Sequence, residues 1–83
     1  MTIYFTKYAN DKFGILARHR CVLERAQVEE AVVAADAVNE SRAPLFVAEK
    51  SIDKKRALKV VYKKEAGVVK IITFYPSINN GQE

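Results

Sequence analysis

Apolar and polar positions along this chain switch between helical and strand-like periods, and the switches predict the elements. Thr2–Phe5 is short and β-prone and reads as an edge strand. Behind Thr6, which can cap a helix, Ala9, Phe13, Leu16 and Ala17 recur at helical spacing and predict a first helix from Lys7 to about His19. Gly14 weakens that helix by about 1 kcal/mol relative to Ala. Arg18-His19-Arg20-Cys21 makes a basic exit. Val28, Ala31, Val32, Ala35 and Val38 form one apolar stripe, with Glu29, Glu30 and Asp36 off it, and predict a second helix. The polar connection Asn39–Pro44 is closed by proline, Leu45–Lys50 reads as a strand, and Ser51–Lys55 as a polar link.

Ala57–Pro76 organises the rest. Two β-rich runs, Leu58–Lys64 and Val68–Tyr75, flank Glu65-Ala66-Gly67, which suits a three-residue hairpin loop with Gly67 in the left-handed position of a bulge. That turn pairs Lys64 with Val68, Tyr62 with Lys70, Val60 with Ile72 and Leu58 with Phe74. One face then carries Leu58, Val60, Ile72 and Phe74 as core, with Tyr62 and Lys70 at its edge. The other carries Lys59, Val61, Lys63, Val69, Ile71, Thr73 and Tyr75, with Lys59 opposite Thr73. A slip of one residue in the turn would exchange these faces. The order strand, helix, helix, three strands gives an α+β fold. Two helices should cover one face of an antiparallel three-stranded meander in a single domain over residues 1–76. The polar tail, residues 77–83, is expected to fray.

Composition narrows the function classes. Eighty-three residues, 49% of them apolar, suffice for one small core. The single Cys21 forms no internal disulfide, and Cys21 with His19 is too few ligands for a metal site. No apolar run approaches membrane-spanning length. Met1–Tyr4 lacks the basic and long apolar regions of a leader, so no membrane partner and a cytoplasmic location are expected. The net charge of +4 is unevenly placed. Residues 1–43 hold six basic and six acidic side chains, whereas residues 44–83 hold eight basic against four acidic. A basic sheet half points to a polyanion such as RNA, or to an acidic protein; lysine-rich strands also serve solubility and edge protection.

There is no phosphate-cradling glycine loop, zinc pattern, nucleophile elbow or carboxylate pair, and no cofactor is expected. His19, the only histidine, is a candidate general acid–base and equally a helix-end residue favoured by the helix dipole. Tyr62 and Tyr75 fit half-buried strand positions. Lys59, Thr73 and Tyr75 on one sheet face, with Lys50 and Arg56 on neighbouring segments, bring together cations and a proton-moving hydroxyl. Phosphodiester cleavage without a metal needs that set.

The motifs T-K-Y-A at 6–9, K-F at 12–13, Q-V-E-E-A-V at 27–32, L-K-V-V-Y at 58–62 and I-I-T-F-Y-P at 71–76 stand in one order. Together they resemble a family of small prokaryotic domains of unknown function, broadly similar to the RelE and BrnT toxins of toxin–antitoxin systems. The resemblance covers about residues 3–76, and its last motif is the most specific. It implies a compact barnase-to-RelE-like fold, RNA cleavage without metal, and an antitoxin partner that holds the toxin inactive. Relatives often carry histidine where this chain has Tyr8. A catalytic role for that histidine would leave this chain inactive or reliant on Tyr8, Tyr75 or His19.

The expectation is therefore a metal-independent endoribonuclease acting on free or ribosome-bound RNA by attack of a ribose 2′-OH on its own phosphate. The catalytic candidates are Lys59, Tyr75, His19 and Arg56. The RNA-binding candidates are Lys50, Lys63, Lys70, Thr73, Tyr8 and Arg18. The rivals are a non-catalytic module binding RNA or protein through the same face, and a regulatory subunit whose exposed strands pair with another chain.

Overall fold

Thr6 joins the two layers of the molecule, which is described here over residues 2–78 of a computed structural model. Its hydroxyl accepts the Ala9 N–H at 3.2 Å, which caps α1 (Lys7–Arg18), and donates to the Ile71 carbonyl at 3.0 Å. One side chain thus starts the helix that follows β1 (Thr2–Phe5) and ties it to the last strand. α1 ends on His19, with Arg20 in the left-handed region at φ 65°. Cys21 N–H reaches the Leu16 carbonyl at 2.9 Å and Arg20 N–H that of Ala17 at 3.0 Å. This is the paired-bond closure that usually places glycine where Arg20 stands.

α2 (Arg25–Val33) starts where the Gln27 side chain accepts the Glu24 N–H at 2.8 Å. It buries Val28 and Ala31, but it is shorter than the apolar stripe predicted. Val38 is not on this helix. It lies exposed on β2 (Ala37–Asn39), a strand the spacing did not predict. The cause is Asp36: its N–H donates to the Glu49 carbonyl at 2.8 Å and its carboxylate accepts the Ser51 N–H at 2.9 Å. Those two bonds draw the chain onto the sheet.

The sheet continues through β3 (Phe46–Ser51), β4 (Arg56–Glu65) and β5 (Val68–Ile78). Strand order is β1-β5-β4-β3-β2, with β1 parallel to β5 and every other pair antiparallel. The expected meander is present, widened by a strand at each edge, and the fold is α+β. Ser77 and Ile78, expected in the tail, extend β5 opposite Ala57 and Arg56; the remainder of the tail lies outside the described residues. No described helix is long and apolar enough to cross a membrane.

Both helices pack on one face of the sheet. Phe5, Ala9, Leu23, Val28 and Ala31 meet Ala48, Leu58, Val60, Tyr62, Val69, Ile71 and Phe74 in one core. The Phe13 ring lies 4.6 Å from Phe74 and 5.8 Å from Phe5, and Phe46 stacks on Tyr62 at 5.5 Å. Burial raises the Tyr62 hydroxyl above its usual range, with the Glu40 charge adding to the effect. Arg25 fastens α2 to the other elements, its guanidinium 4.1 Å from the Phe5 ring centroid and 2.9 Å from the Asn10 side-chain oxygen.

The β4–β5 hairpin departs from the predicted register twice. Its loop has two residues, not three: Glu65 pairs with Val68, and Ala66 and Gly67 both have positive φ, 49° and 80°. Two positive values suit the primed turns whose twist matches the strands they join. This moves pairing by one residue, so Tyr62 faces Ile71 and Lys63 faces Lys70. Val69 and Ile71 are therefore core and Lys70 is not, the reverse of the prediction. A bulge then leaves Ile72 as an extra residue between the Tyr62–Ile71 and Val61–Thr73 pairs. Beyond it pairing has moved by two residues, which restores the predicted faces but changes the partners. Phe74 is core and faces Val60, while Lys59 faces Tyr75 rather than Thr73. Ile72 and Val32, expected in the core, are half-buried.

Candidate nucleic-acid interface

The sheet face turned away from the helices is ordered in two rows. Ala37, Glu49, Lys59 and Tyr75 are successive cross-strand neighbours on β2, β3, β4 and β5. The next row is Asn39, Val47, Val61 and Thr73. Adjacent strands lie about 4.8 Å apart, so Lys59 stands between a carboxylate and a phenol with two valines beside the row. Tyr75 is 38% exposed, which leaves part of its ring open to solvent.

The connection after β2 forms a wall beside these rows. Asn39 folds it back: its side-chain oxygen accepts the Ser41 N–H at 2.8 Å and the Ser41 hydroxyl at 2.7 Å. Leu45 N–H donates to the Arg42 carbonyl at 2.9 Å. Arg42 joins Lys59 and Tyr75 around a cleft of about 210 Å³ floored by Val47 and Val61. A second cleft, about 550 Å³, shares Asn39, Val47 and Lys59 but is lined by Glu40 and Glu49. Lys59 therefore separates a cationic, aromatic cleft from an acidic one. Neither Lys59 nor Arg42 has an ion-pair partner among the described residues.

Near the turn the same face carries Lys63 and Lys70, both held by Glu65 at 3.1 and 2.8 Å. Lys70 and then Lys63 keep the Glu65 carboxyl below its usual range, and Glu65 holds the Lys70 ammonium above its own. Two lysines selected for polyanion binding thus share one carboxylate. Thr73 is on this face, but its hydroxyl oxygen is enclosed and makes no hydrogen bond among the described residues; the Ser77 hydroxyl is alike.

The remaining candidates lie elsewhere. Lys50 is opposite Leu58, which puts it on the helix-facing side of the sheet, across from Lys59. Arg56 opens β4 with its guanidinium 3.2 Å from the Asp53 carboxylate. Asp53 also accepts the Lys55 and Arg56 N–H groups, and these bonds lower its carboxyl. His19 caps α1, Arg18 is in its last turn, and Tyr8 is exposed on α1 with the Lys12 ammonium 5.7 Å from its ring centroid. The structure brings together Lys59, Tyr75, Thr73, Lys63 and Lys70. It sets His19, Arg56, Lys50, Tyr8 and Arg18 apart from them.

Arg42, Asn39 and Glu49 escaped the sequence reading. The first two belong to a stretch read as a polar connection, and only the unpredicted β2 brings that stretch to the sheet. Among the described residues no group of three or more His, Cys, Asp or Glu side chains is placed to hold a metal ion. No protein-family model, curated protein or solved structure matches this chain.

Proposed function

We propose that the open sheet face binds single-stranded RNA, with Lys59 and Tyr75 at the centre of the contact. One observation carries this reading: a lysine without an ion-pair partner among the described residues and a part-exposed tyrosine are direct cross-strand neighbours on a helix-free face. Unstacked bases bind by stacking on aromatic rings while cations take the phosphates, and a sheet is a rigid platform for both. Arg42 adds a second cation without an ion-pair partner among the described residues, whereas Lys63 and Lys70 contribute less because Glu65 already compensates them. The resemblance to RelE- and BrnT-like toxins points the same way, to RNA, a cytoplasmic setting and an antitoxin-like protein partner.

Cleavage is a second reading, favoured by the same pair. Lys59 and the Tyr75 hydroxyl stand on one face at neighbouring positions, where both can meet one phosphate. In metal-independent cleavage the ribose 2′-oxygen attacks its own phosphorus, the bond to the 5′-oxygen breaks, and a cyclic phosphate remains. Tyr75 would move the protons and Lys59 would stabilise the charged phosphorane. His19 and Arg56 have no part in that set.

The test is incubation of purified protein with free and ribosome-bound RNA in excess chelator. Retention that weakens with salt and is reduced in Lys59→Glu and Tyr75→Leu supports the binding face. Cyclic-phosphate products absent from Lys59→Ala and Tyr75→Phe establish cleavage. Folded protein that retains no RNA in either setting refutes both.

A further inference from the structure

The cleft bounded by Arg42, Lys59 and Tyr75 has two cations, one phenol and an apolar floor, and it stops against carboxylates. From that arrangement we propose that it takes a terminal phosphomonoester of a nucleotide, with the base laid on Tyr75, rather than an internal stretch of RNA. This inference rests on the RNA-binding reading of the face and narrows it to strand ends.

Charge matching carries the first part. Lys59 and Arg42, without ion-pair partners among the described residues, offer about two positive charges to one small volume. A phosphomonoester carries about −1.5 to −2 at neutral pH, whereas an internal phosphodiester carries only a single negative charge. Guanidinium and ammonium together also suit a group with three free oxygens, because arginine can bind two of them in parallel and lysine the third.

Position carries the second part. A strand continuing past Lys59 toward β2 would enter the cleft lined by Glu40 and Glu49. The next phosphate would meet like charge there, at the carboxylates of Glu40 and Glu49. A strand that ends at Lys59 avoids this. At about 210 Å³ the first cleft can seat a phosphate group beside the Tyr75 ring.

The test compares a pentanucleotide RNA with a 5′ phosphate, the same RNA with a 3′ phosphate, and the same RNA with hydroxyl ends. Binding to the full chain is measured by titration calorimetry, with adenosine 5′-monophosphate as competitor. One phosphorylated form should bind about tenfold or more tightly than the hydroxyl-ended RNA, the scale of one charge-assisted contact. The gain should disappear in Arg42→Ala, be only partly kept in Arg42→Lys, and shrink below about pH 6 as the phosphate takes its second proton. Competition by the mononucleotide would identify it as a sufficient occupant, and resistance to competition would assign the site to strand ends; both support a phosphomonoester site. Equal affinity for all three RNAs, still sensitive to Lys59→Glu and Tyr75→Leu, would overturn this inference and leave the RNA-binding face standing. Absence of binding by every RNA would overturn both.

Discussion

Val60 sits directly opposite Phe74, and neither side chain is exposed to solvent. The pair lies just beyond the bulge and anchors the sheet to α1, where the Phe13 ring packs at a tilt of 51° against Phe74. Phe74→Ala should cost about 3–5 kcal/mol, a large part of the stability of a domain this small. Ile72→Ala, at the half-buried bulge position, should cost less than about 2 kcal/mol. Urea unfolding of the two variants checks this, and equal losses would mean that Ile72 shares the core.

The turn makes an independent prediction about the same hairpin. Ala66 adopts φ 49° beside Gly67 at φ 80°, a conformation that Asn-Gly fills with less strain than Ala-Gly. Ala66→Asn should stabilise the protein by roughly 0.5–1 kcal/mol. A loss of stability would point to a three-residue loop.

Helix α1 and the turn that closes it each carry one residue of poor local fit. A methyl group added at Gly14 would meet nothing within 4 Å, so Gly14→Ala should gain about 1 kcal/mol from helix propensity alone. Arg20→Gly should gain a similar amount by relieving the positive φ at the helix end. Thermal melts of the single and double variants should show two nearly additive increases, since the sites share no partner.

The fate of these elements separates what a one-dimensional pattern carries from what it does not. Alternation over Leu58, Val60 and Tyr62 makes the core face of β4 readable, because strand faces follow a period of two. On β5 the same rule fails between Ile71 and Ile72, since a bulge is a backbone event with no residue type of its own. Glu65-Ala66-Gly67 fits a three-residue and a two-residue loop equally well on composition. Val38 matches the helical stripe of Val28 and Ala31, and only the long-range bonds of Asp36 to Glu49 and Ser51 move it into a strand.

The candidate site divides along the same line. Lys59 and Tyr75 were legible as one face because they lie beyond the bulge, where two one-residue shifts restore the faces. For Lys50 the sequence gives only a neighbouring segment, and it takes the β3–β4 register to set it opposite Leu58 on the helix-facing side. Arg42 was invisible, because a loop residue acquires a place only when the fold around it is known.

The Glu65 cluster gives stability a defined pH dependence. Lys70 and Lys63 hold the Glu65 carboxyl below its unfolded value, so the cluster stabilises the fold above about pH 4–5 and is lost as pH falls through the carboxylate range. Glu65 holds the Lys70 ammonium above its unfolded value, so that contribution is present below about pH 10 and is lost as pH rises through the folded value. Melting temperatures of wild type and Glu65→Gln should differ most between those limits and converge below about pH 3. Added salt should narrow the gap, because the groups are exposed. A gap that widens with acid would contradict the assignment.

If RNA is held on the open face through Lys59 and Tyr75, the affinity for single-stranded RNA must respond to both residues as salt is varied. Four proteins suffice: wild type, Lys59→Glu, Tyr75→Leu and Arg18→Glu, the last altered on the helix layer. Each phosphate contact contributes about 0.7 to the slope of log affinity against log salt for single strands. Lys59→Glu should reduce that slope by about one contact or more. Tyr75→Leu should weaken binding by about tenfold with the slope unchanged, because a stack is lost and not a charge. Arg18→Glu should behave like wild type. Equal losses from Arg18→Glu and Lys59→Glu, or binding indifferent to Tyr75→Leu, would contradict the account.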